Sequence, residues 1–435
     1  MRSLPVEWTL ATIALAVLGV AAVSGRLSGG PVTATMLFVG VGILAGPRLL
    51  DTVDVPSYGA VVRTLAEGTL TLVLFADASR IDIPALRRGY GLPVRLLGIG
   101  LPLTIAAGAL AAVVVLPDLS LSEALVLAVL LAPTDAALGQ AVVTEPRLPI
   151  RVRQGLNVES GLNDGICVPL LLIVLAHADV QAHAESSQRA VTVVLEAVGY
   201  GLLGGLVAGA AAALVVTVAA RRGLVTPSWL QIVPVAAAAL AYGIATPLEG
   251  SGFIAAFVAG LTFRSLLGRD PGPIAQFNEQ LGELLNGVTF LTFGAVLLGP
   301  ALADLSWRVA LYAVLSLTAV RMVPVALALL GTGARRPTAA FIGWFGPRGL
   351  ASIVFAVLIV EESKLAHQST MLLATYATVG LSVFLHGLSA APLARRYARW
   401  YEAHPRDRRP AMESQPVAHQ RPRGPLPPPE AQASP

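Results

Sequence analysis

The chain has 435 residues, 55% of them hydrophobic and only 13% charged, with a mean hydropathy of +0.72. Soluble domains carry about 25% charged residues, so this composition excludes an ordinary soluble enzyme, a disordered chain and a nucleic-acid binder. The formal charge of +4 does not signal a polyanion partner, because from Arg395 onward eight arginines face four acidic residues, and upstream the balance is 22 to 22.

The single cysteine, Cys167, lies in an apolar stretch and excludes both a disulfide framework and a cysteine-based metal site. About 20 mainly apolar residues are needed to cross a ~30 Å hydrocarbon core. Segments of that kind run approximately over 8–24, 31–47, 59–79, 91–116, 121–144, 154–177 and 190–220. They continue over 229–247, 250–267, 281–299, 305–331, 338–361 and 369–393. The expected architecture is an all-α polytopic membrane protein with thirteen transmembrane helices. The sequence "AAVSG" after the first segment resembles a signal-peptidase site, but that segment has a partner in the duplication described below, so it is read as a retained helix.

Arginine and lysine orient the bundle. The loops after helices 1, 3, 5, 7, 9 and 11 contain fourteen, including Arg80, Arg87, Arg88, Arg147, Arg151, Arg153, Arg269, Arg335 and Arg336. The N-terminus and the other loops contain five: Arg2, Arg48, Arg189, Arg308 and Lys364. The excess of positive charge faces the cytoplasm, which puts the N-terminus outside and the C-terminus inside. The expected location is the cell's inner (plasma) membrane. Residues 395–435 read as an Arg/Pro-rich cytoplasmic tail, disordered and solvated from about 402.

Two of the apolar segments are interrupted. Helix 5 meets Ala132-Pro133-Thr134-Asp135, and helix 12 meets Gly346-Pro347-Arg348-Gly349. Proline removes a backbone donor and clashes with the preceding turn, so each helix should break near mid-membrane. The breaks lie 214 residues apart, from 134 to 348. The same shift carries helices 1 to 6 close to helices 8 to 13. The domain organisation is therefore a transmembrane region 1–394, with repeat one over about 8–177, a linker helix over about 190–220 and repeat two over about 229–393. An odd helix between two six-helix halves inverts one against the other. Paired interrupted helices in inverted halves point to a secondary transporter site.

An ionisable group at mid-bilayer costs at least ~2.5–3.5 kcal/mol and needs a reason. The candidates are Glu67, Asp77, Asp135, Glu159, Asp164, Glu283, Arg321 and Arg348. In "NVESGLNDGICVP", Ser160 and Asp164 share one helical stripe, and Glu159 and Asn163 share the adjacent one. Hydroxyl and carboxylate oxygens suit a hard monovalent cation, and the helix 5 break adds free carbonyls near Thr134. Glu159 and Asp135 have a structural reading, as counter-ions to the two arginines. Asp164 then has no evident cation and reads as a binding group. Glu67 and Glu283 read as packing or funnel-lining residues; His177 and His386 take no functional role.

"APTDAALG", "NVESGLNDG", Arg321 in "TAVRMVP" and "GPRGLASIVF" together resemble the monovalent cation:proton antiporter family. Within it they are similar to the Asn-Asp branch of bacterial sodium/proton antiporters and sodium/hydrogen exchangers. The likeness covers residues ~8 to ~393. It implies a six-helix core domain, a dimerisation domain, unwound helices 5 and 12 that cross, and a homodimer. It also implies that Asp164 binds cation and proton, with Ser160 and the Thr134 main chain as further ligands. Asp77, in "LFADASRI", matches a helix 3 acid more loosely, because many members have Glu there. Glu159 would pair with Arg321 with Asn163 bonded nearby, and Asp135 and Arg348 would neutralise the helix ends at the crossover.

The expected activity is exchange of a monovalent cation, Na+ before K+ or Li+, for H+ by alternating access. No cofactor, catalytic residue or nucleic-acid partner is expected; the lipid bilayer and a second copy of the chain are. Asn163 stands where an electrogenic branch has a second Asp, which implies one cation per proton. A cation channel or membrane sensor is the alternative class, and it is disfavoured because the polar residues converge on one mid-membrane cluster instead of a continuous pore.

Overall fold

The computed structural model describes residues 6–27, 30–53, 60–81, 83, 91–135, 137–139, 142, 145–183, 187–268, 270–362, 365–404 and 412–414. Their regular structure is entirely helical. In chain order, α1 is Val6–Leu27, α2 Ala34–Ala45, α3 Ala60–Ser79, α4 Gly91–Val115, α5 Leu121–Leu130 and α6 Ile150–His183. Helix α7 is Ser187–Leu214 with a π-helical end Val215–Ala219. There follow α8 Pro227–Leu248, α9 Gly252–Leu267, α10 Pro273–Ala301 and α11 Trp307–Ala328. Last come α12a Arg336–Trp344, α12b Leu350–Glu362 and α13 Gln368–Glu402.

Eight of these are long and apolar enough to cross a membrane: α1, α4, α6, α7, α8, α10, α11 and α13. Helices α2, α5, α9 and α12b are apolar but only 10–17 residues long. Helix α3 has 20 residues and includes Arg63, Glu67 and Asp77. Boundaries moved where polar residues extend a helix beyond its apolar run. Helix α10 begins at Pro273 instead of 281, and α13 continues to Glu402 instead of 393. The expected start of the tail at 395 therefore falls inside α13. The expected second half of helix 5 appears only as a turn at Ala137–Gly139 and helical Val142 among the described residues. Arg2, Arg87, Arg88, Arg269, Lys364 and most of the tail beyond 404 lie outside them.

Helix starts follow their caps. Ser120 and Glu123 form a reciprocal capping box at α5, and the side chains of Thr33, Ser251 and Ser306 accept from the first turns of α2, α9 and α11. Glu123 also accepts from the His367 main-chain nitrogen at 2.8 Å, which ties the start of α5 to the start of α13.

The helices pack in two sets. One contains α2, α3, α7, α8, α9 and α10, and the other α4, α5, α6, α11, α12a, α12b and α13. Backbones come unusually close between α2 and α10, where a Cβ on Gly42 would collide with the Leu291 carbonyl. Without a hydrophobic drive between helices in lipid, such small-residue contact maximises van der Waals attraction. The two sets meet along α6, which lies against α3, α7 and α9, and where α12b lies against α3.

Candidate functional site

Helix α5 stops at Leu130, and residues 132–135 run on in irregular backbone; α12a stops at Trp344, and 345–349 do the same. The two gaps cross. The Asp135 nitrogen donates to the Pro347 carbonyl at 2.8 Å, and Ser352 Oγ donates to the Leu130 carbonyl at 2.7 Å. A Cβ on Gly349 would collide with the Asp135 carboxylate, so glycine is required for this approach.

Each gap leaves helix-terminal groups without intrahelical partners, and the two charged side chains satisfy them. Arg348 Nη1 donates to the carbonyls of Ala132 at 2.7 Å and Pro133 at 3.3 Å, beyond the C-terminus of α5. Asp135 accepts from the Leu350 nitrogen at 3.3 Å at the N-terminus of α12b, and from the Ala137 nitrogen at 2.8 Å. A cation at a helix C-terminus and an anion at an N-terminus both match the macrodipole. Ser382 Oγ accepts from the Arg348 nitrogen at 2.7 Å, and His386 bridges Ser382 and the Trp344 carbonyl. His386 thus fastens α13 to the end of α12a.

Against this crossover lies α6. Ser160 Oγ donates to the Thr134 carbonyl at 2.5 Å. Asn163 Nδ2 donates to Thr134 Oγ1 at 2.7 Å, while its Oδ1 accepts from the Thr134 nitrogen at 3.3 Å. Asn163 therefore grips Thr134 from both sides, one turn along α6 from the Glu159–Arg321 pair. That pair is bidentate, with Nη1 to Oε1 and Nη2 to Oε2 both at 2.8 Å, and each residue is 1% exposed. A Cβ on Gly346 would collide with the Arg321 guanidinium, so the α12 gap also makes room for this arginine.

Asp164 lies one turn beyond Ser160 on α6 and is 7% exposed. Asp77 lies against α6 from α3, where a Cβ added to Gly161 would sit 3.4 Å from the Asp77 Cβ. A cavity of 20 Å³ is bounded by Thr134, Asp135, Gly139, Val142, Leu156, Ser160, Phe345 and Pro347. That is room for about one water-sized particle. The structure thus brings Thr134, Ser160, Asn163 and Asp135 together at the crossing, with Glu159 and Arg321 beside it. Asp164 and Asp77 are buried on neighbouring faces but do not line this cavity. Carbonyl, hydroxyl and carboxylate oxygens remain the donor set, which fits a hard monovalent cation.

Sequence reasoning missed how Asp77 is held. Arg80, counted among loop residues, is 8% exposed and bonds Glu279 of α10 through Nη2 at 2.9 Å and Nε at 3.2 Å. Its Nη1 is 3.7 Å from Asp77. The signal was the i, i+3 spacing of Asp77 and Arg80; Glu279 lay outside the expected apolar span. Glu67 accepts from Arg63 at 2.6 Å and Tyr242 at 2.9 Å, a packing role. Glu283 borders a second cavity, of 130 Å³, together with Thr35, Phe38, Ala137, Asn286 and Gly287.

Two broken helices cross inside an all-helical bundle, each end neutralised by a charge from the other gap, and discontinuous helices of this kind are where membrane carriers place their binding sites. Residues 12–396 match the transmembrane sodium/hydrogen exchanger family, and the chain belongs to that family. It is 26% identical over 378 residues to the K(+)/H(+) antiporter NhaP of Alkalimonas amylolytica, covering 86% of this chain and 63% of that one. It is 28% identical over 359 residues to the Na(+)/H(+) antiporter NhaP of Pseudomonas aeruginosa, covering 75% and 79%. The chain thus spans less than two thirds of the first of these relatives. The solved structure of a sodium proton antiporter from Methanocaldococcus jannaschii shares the fold, with a TM-score of 0.72 at 20% identity, over 90% of this chain and 98% of that one.

Proposed function

We propose that this protein is a secondary carrier that exchanges a monovalent cation for protons across the membrane by alternating access. The observation that carries the reading is the crossover itself: Ser160 is bonded to the freed Thr134 carbonyl, while the Glu159 and Arg321 charges satisfy each other. Asp164, one turn from Ser160, is the carboxylate that exchanges its partner. An ionised group there needs neutralising, and either a proton or a dehydrated cation serves, but not both. The set containing α5, α6 and α12 moves only when Asp164 is neutralised, which couples the two fluxes.

Ser160 and the Thr134 carbonyl complete the cation shell, and Asp77 lines the approach. Asn163 carries no proton, and its bonds to Thr134 give it a positioning role. One exchanging carboxylate means one cation per proton, so the cycle is electroneutral. Na+ is the first substrate of this reading and K+ the second, the latter supported by the printed activity of the Alkalimonas relative. The Arg-rich face, where α6 begins and α13 ends, is cytoplasmic by the positive-inside argument, in an inner (plasma) membrane. The apolar, outward-facing side chains of α1 and α7, including Leu15, Leu18, Leu195 and Leu203, meet lipid or a second copy of the chain in a homodimer.

The test is pH-gradient dissipation in proteoliposomes with Na+, K+ and Li+ in turn. Asp164→Asn should abolish exchange while expression and oligomeric state stay normal; ordinary exchange by that variant sinks the assignment. Wild-type exchange should ignore a valinomycin-set potential, worth ~2.3 kcal/mol per charge per 100 mV to an electrogenic cycle. Acceleration by the potential would mean that a second group, Asp77 first, also titrates.

A further inference from the structure

One buried carboxylate has no part in this mechanism, and it belongs to the tail. Residues Met412–Ser414 form a single 3₁₀ turn. Glu413 is 2% exposed, and its Oε1 accepts from Arg335 Nε at 2.5 Å and from Thr338 Oγ1 at 2.9 Å. Arg335 also donates to the His404 carbonyl at 2.7 Å, and its guanidinium lies 4.4 Å from the Trp400 ring centroid. Thr338 in turn bonds the Tyr397 hydroxyl at 2.9 Å. A solvated tail does not bury a carboxylate, because burial is costly unless pairing and hydrogen bonds offset it. This turn has a built receptor.

The receptor connects to the crossover. Phe345 packs at a tilt on Phe341, with centroids 4.7 Å apart, and rings then stack from Phe341 to Tyr397 at 4.4 Å and Tyr397 to Trp400 at 5.5 Å. Met412, 3% exposed, joins the buried apolar cluster that includes Val142, Leu156 and Phe345. Those three residues, with Pro347, form the apolar walls of the 20 Å³ cavity beneath Thr134 and Ser160. The walls all come from one packing set, so sliding that set against the other neither opens nor closes the cavity. A carrier that faces outward must still be shut on the inside. A stopper that rides on the moving set meets that need in both states.

We propose that the Met412–Ser414 turn is this stopper: Glu413 latches it to Arg335 and Thr338, and Met412 completes the apolar seal between the cytoplasm and the crossover cavity. What the seal protects rests on the exchange reading above; the latch does not. The test uses Leu156→Cys in a Cys167→Ser background, with a membrane-impermeant maleimide applied to inside-out vesicles. With the tail intact, Leu156→Cys should be protected. Ending the chain after His404 should raise its labelling rate about tenfold or more, as expected when a local closing contact is lost. Glu413→Gln, which keeps volume but removes the charge facing Arg335, should raise it less and covers the case in which the shortened protein is unstable. Equal labelling with and without the latch overturns the proposal. The shortened protein should also leak protons without a counter-cation in proteoliposomes; faster labelling with tightly coupled exchange would overturn the seal and leave only a strap. Wild-type vesicles that exchange nothing would instead refute the transport reading, with the labelling result unaffected.

Discussion

Arg321 and Arg348 are equally buried, at 1% and 0% exposure, yet the protein neutralises them differently. Arg321 meets a carboxylate, Glu159, through two parallel hydrogen bonds from another helix. Arg348 meets main-chain carbonyls at the open end of α5, through one nitrogen. The first arrangement is a closed side-chain pair that fixes α11 to α6. The second turns a broken helix into the counter-charge, so the break itself becomes structural. The comparison teaches that one buried arginine depends on a partner's identity and the other on a partner's backbone geometry.

The sharpest way to break that comparison is a double-mutant cycle. Glu159→Ala or Arg321→Ala alone leaves a buried charge unpaired and should cost about 3–5 kcal/mol, read from melting in detergent. The double variant should recover part of the loss. Strictly additive losses would show that the two residues do not act as a pair.

A somewhat smaller effect is expected at the other arginine. Arg348→Ala deprives the Ala132 and Pro133 carbonyls of a charged donor but strands no opposite charge, so about 2–4 kcal/mol should be lost. A second substitution at Asp135 should not rescue it, in contrast to the first pair. Recovery on combining Arg348→Ala with Asp135→Asn would reveal a direct ionic dependence that the hydrogen bonds do not predict.

The smallest of the three effects belongs to Asp135→Asn alone. An amide oxygen still accepts from the α12b N-terminus, so only the charge–dipole part is lost, about 0.5–2 kcal/mol. A loss as large as that of Glu159→Ala would mean that Asp135 also serves as a buried counter-ion, and the contrast between the two arginines would collapse.

Much of this was legible before any coordinates. A bilayer penalises every unpaired polar group, so Pro133, Pro347 and the few buried charges are visible against an apolar background. That is why the two breaks and their spacing stand out in the residues alone, whereas the residues left two anions and two arginines unmatched and only the family resemblance implied the Glu159–Arg321 pairing. The same cost makes "NVESGLNDG" conspicuous in α6, although it does not say which neighbour each side chain meets. The partner of Asn163 stays open in the sequence for that reason: helical spacing fixes the stripe but not what faces it across the gap.

What only the tertiary structure decided concerns contacts between residues far apart in sequence. Asn163 holds Thr134 because α6 lies against the crossover, and Arg80 holds Glu279 because α10 begins a full two turns before its apolar run. Glu413 is buried because Arg335, Thr338 and Trp400 converge where α12a begins and α13 ends. In the tail, composition is polar and rich in proline, and local propensity favours solvent. A charge-assisted bond to a distant arginine outweighs that propensity, and no local pattern encodes it. The sequence by itself determined where the membrane would force helices to span and to break, because that penalty acts residue by residue. The fold decided which of the freed groups found one another, because that depends on how helices far apart in sequence come together in space.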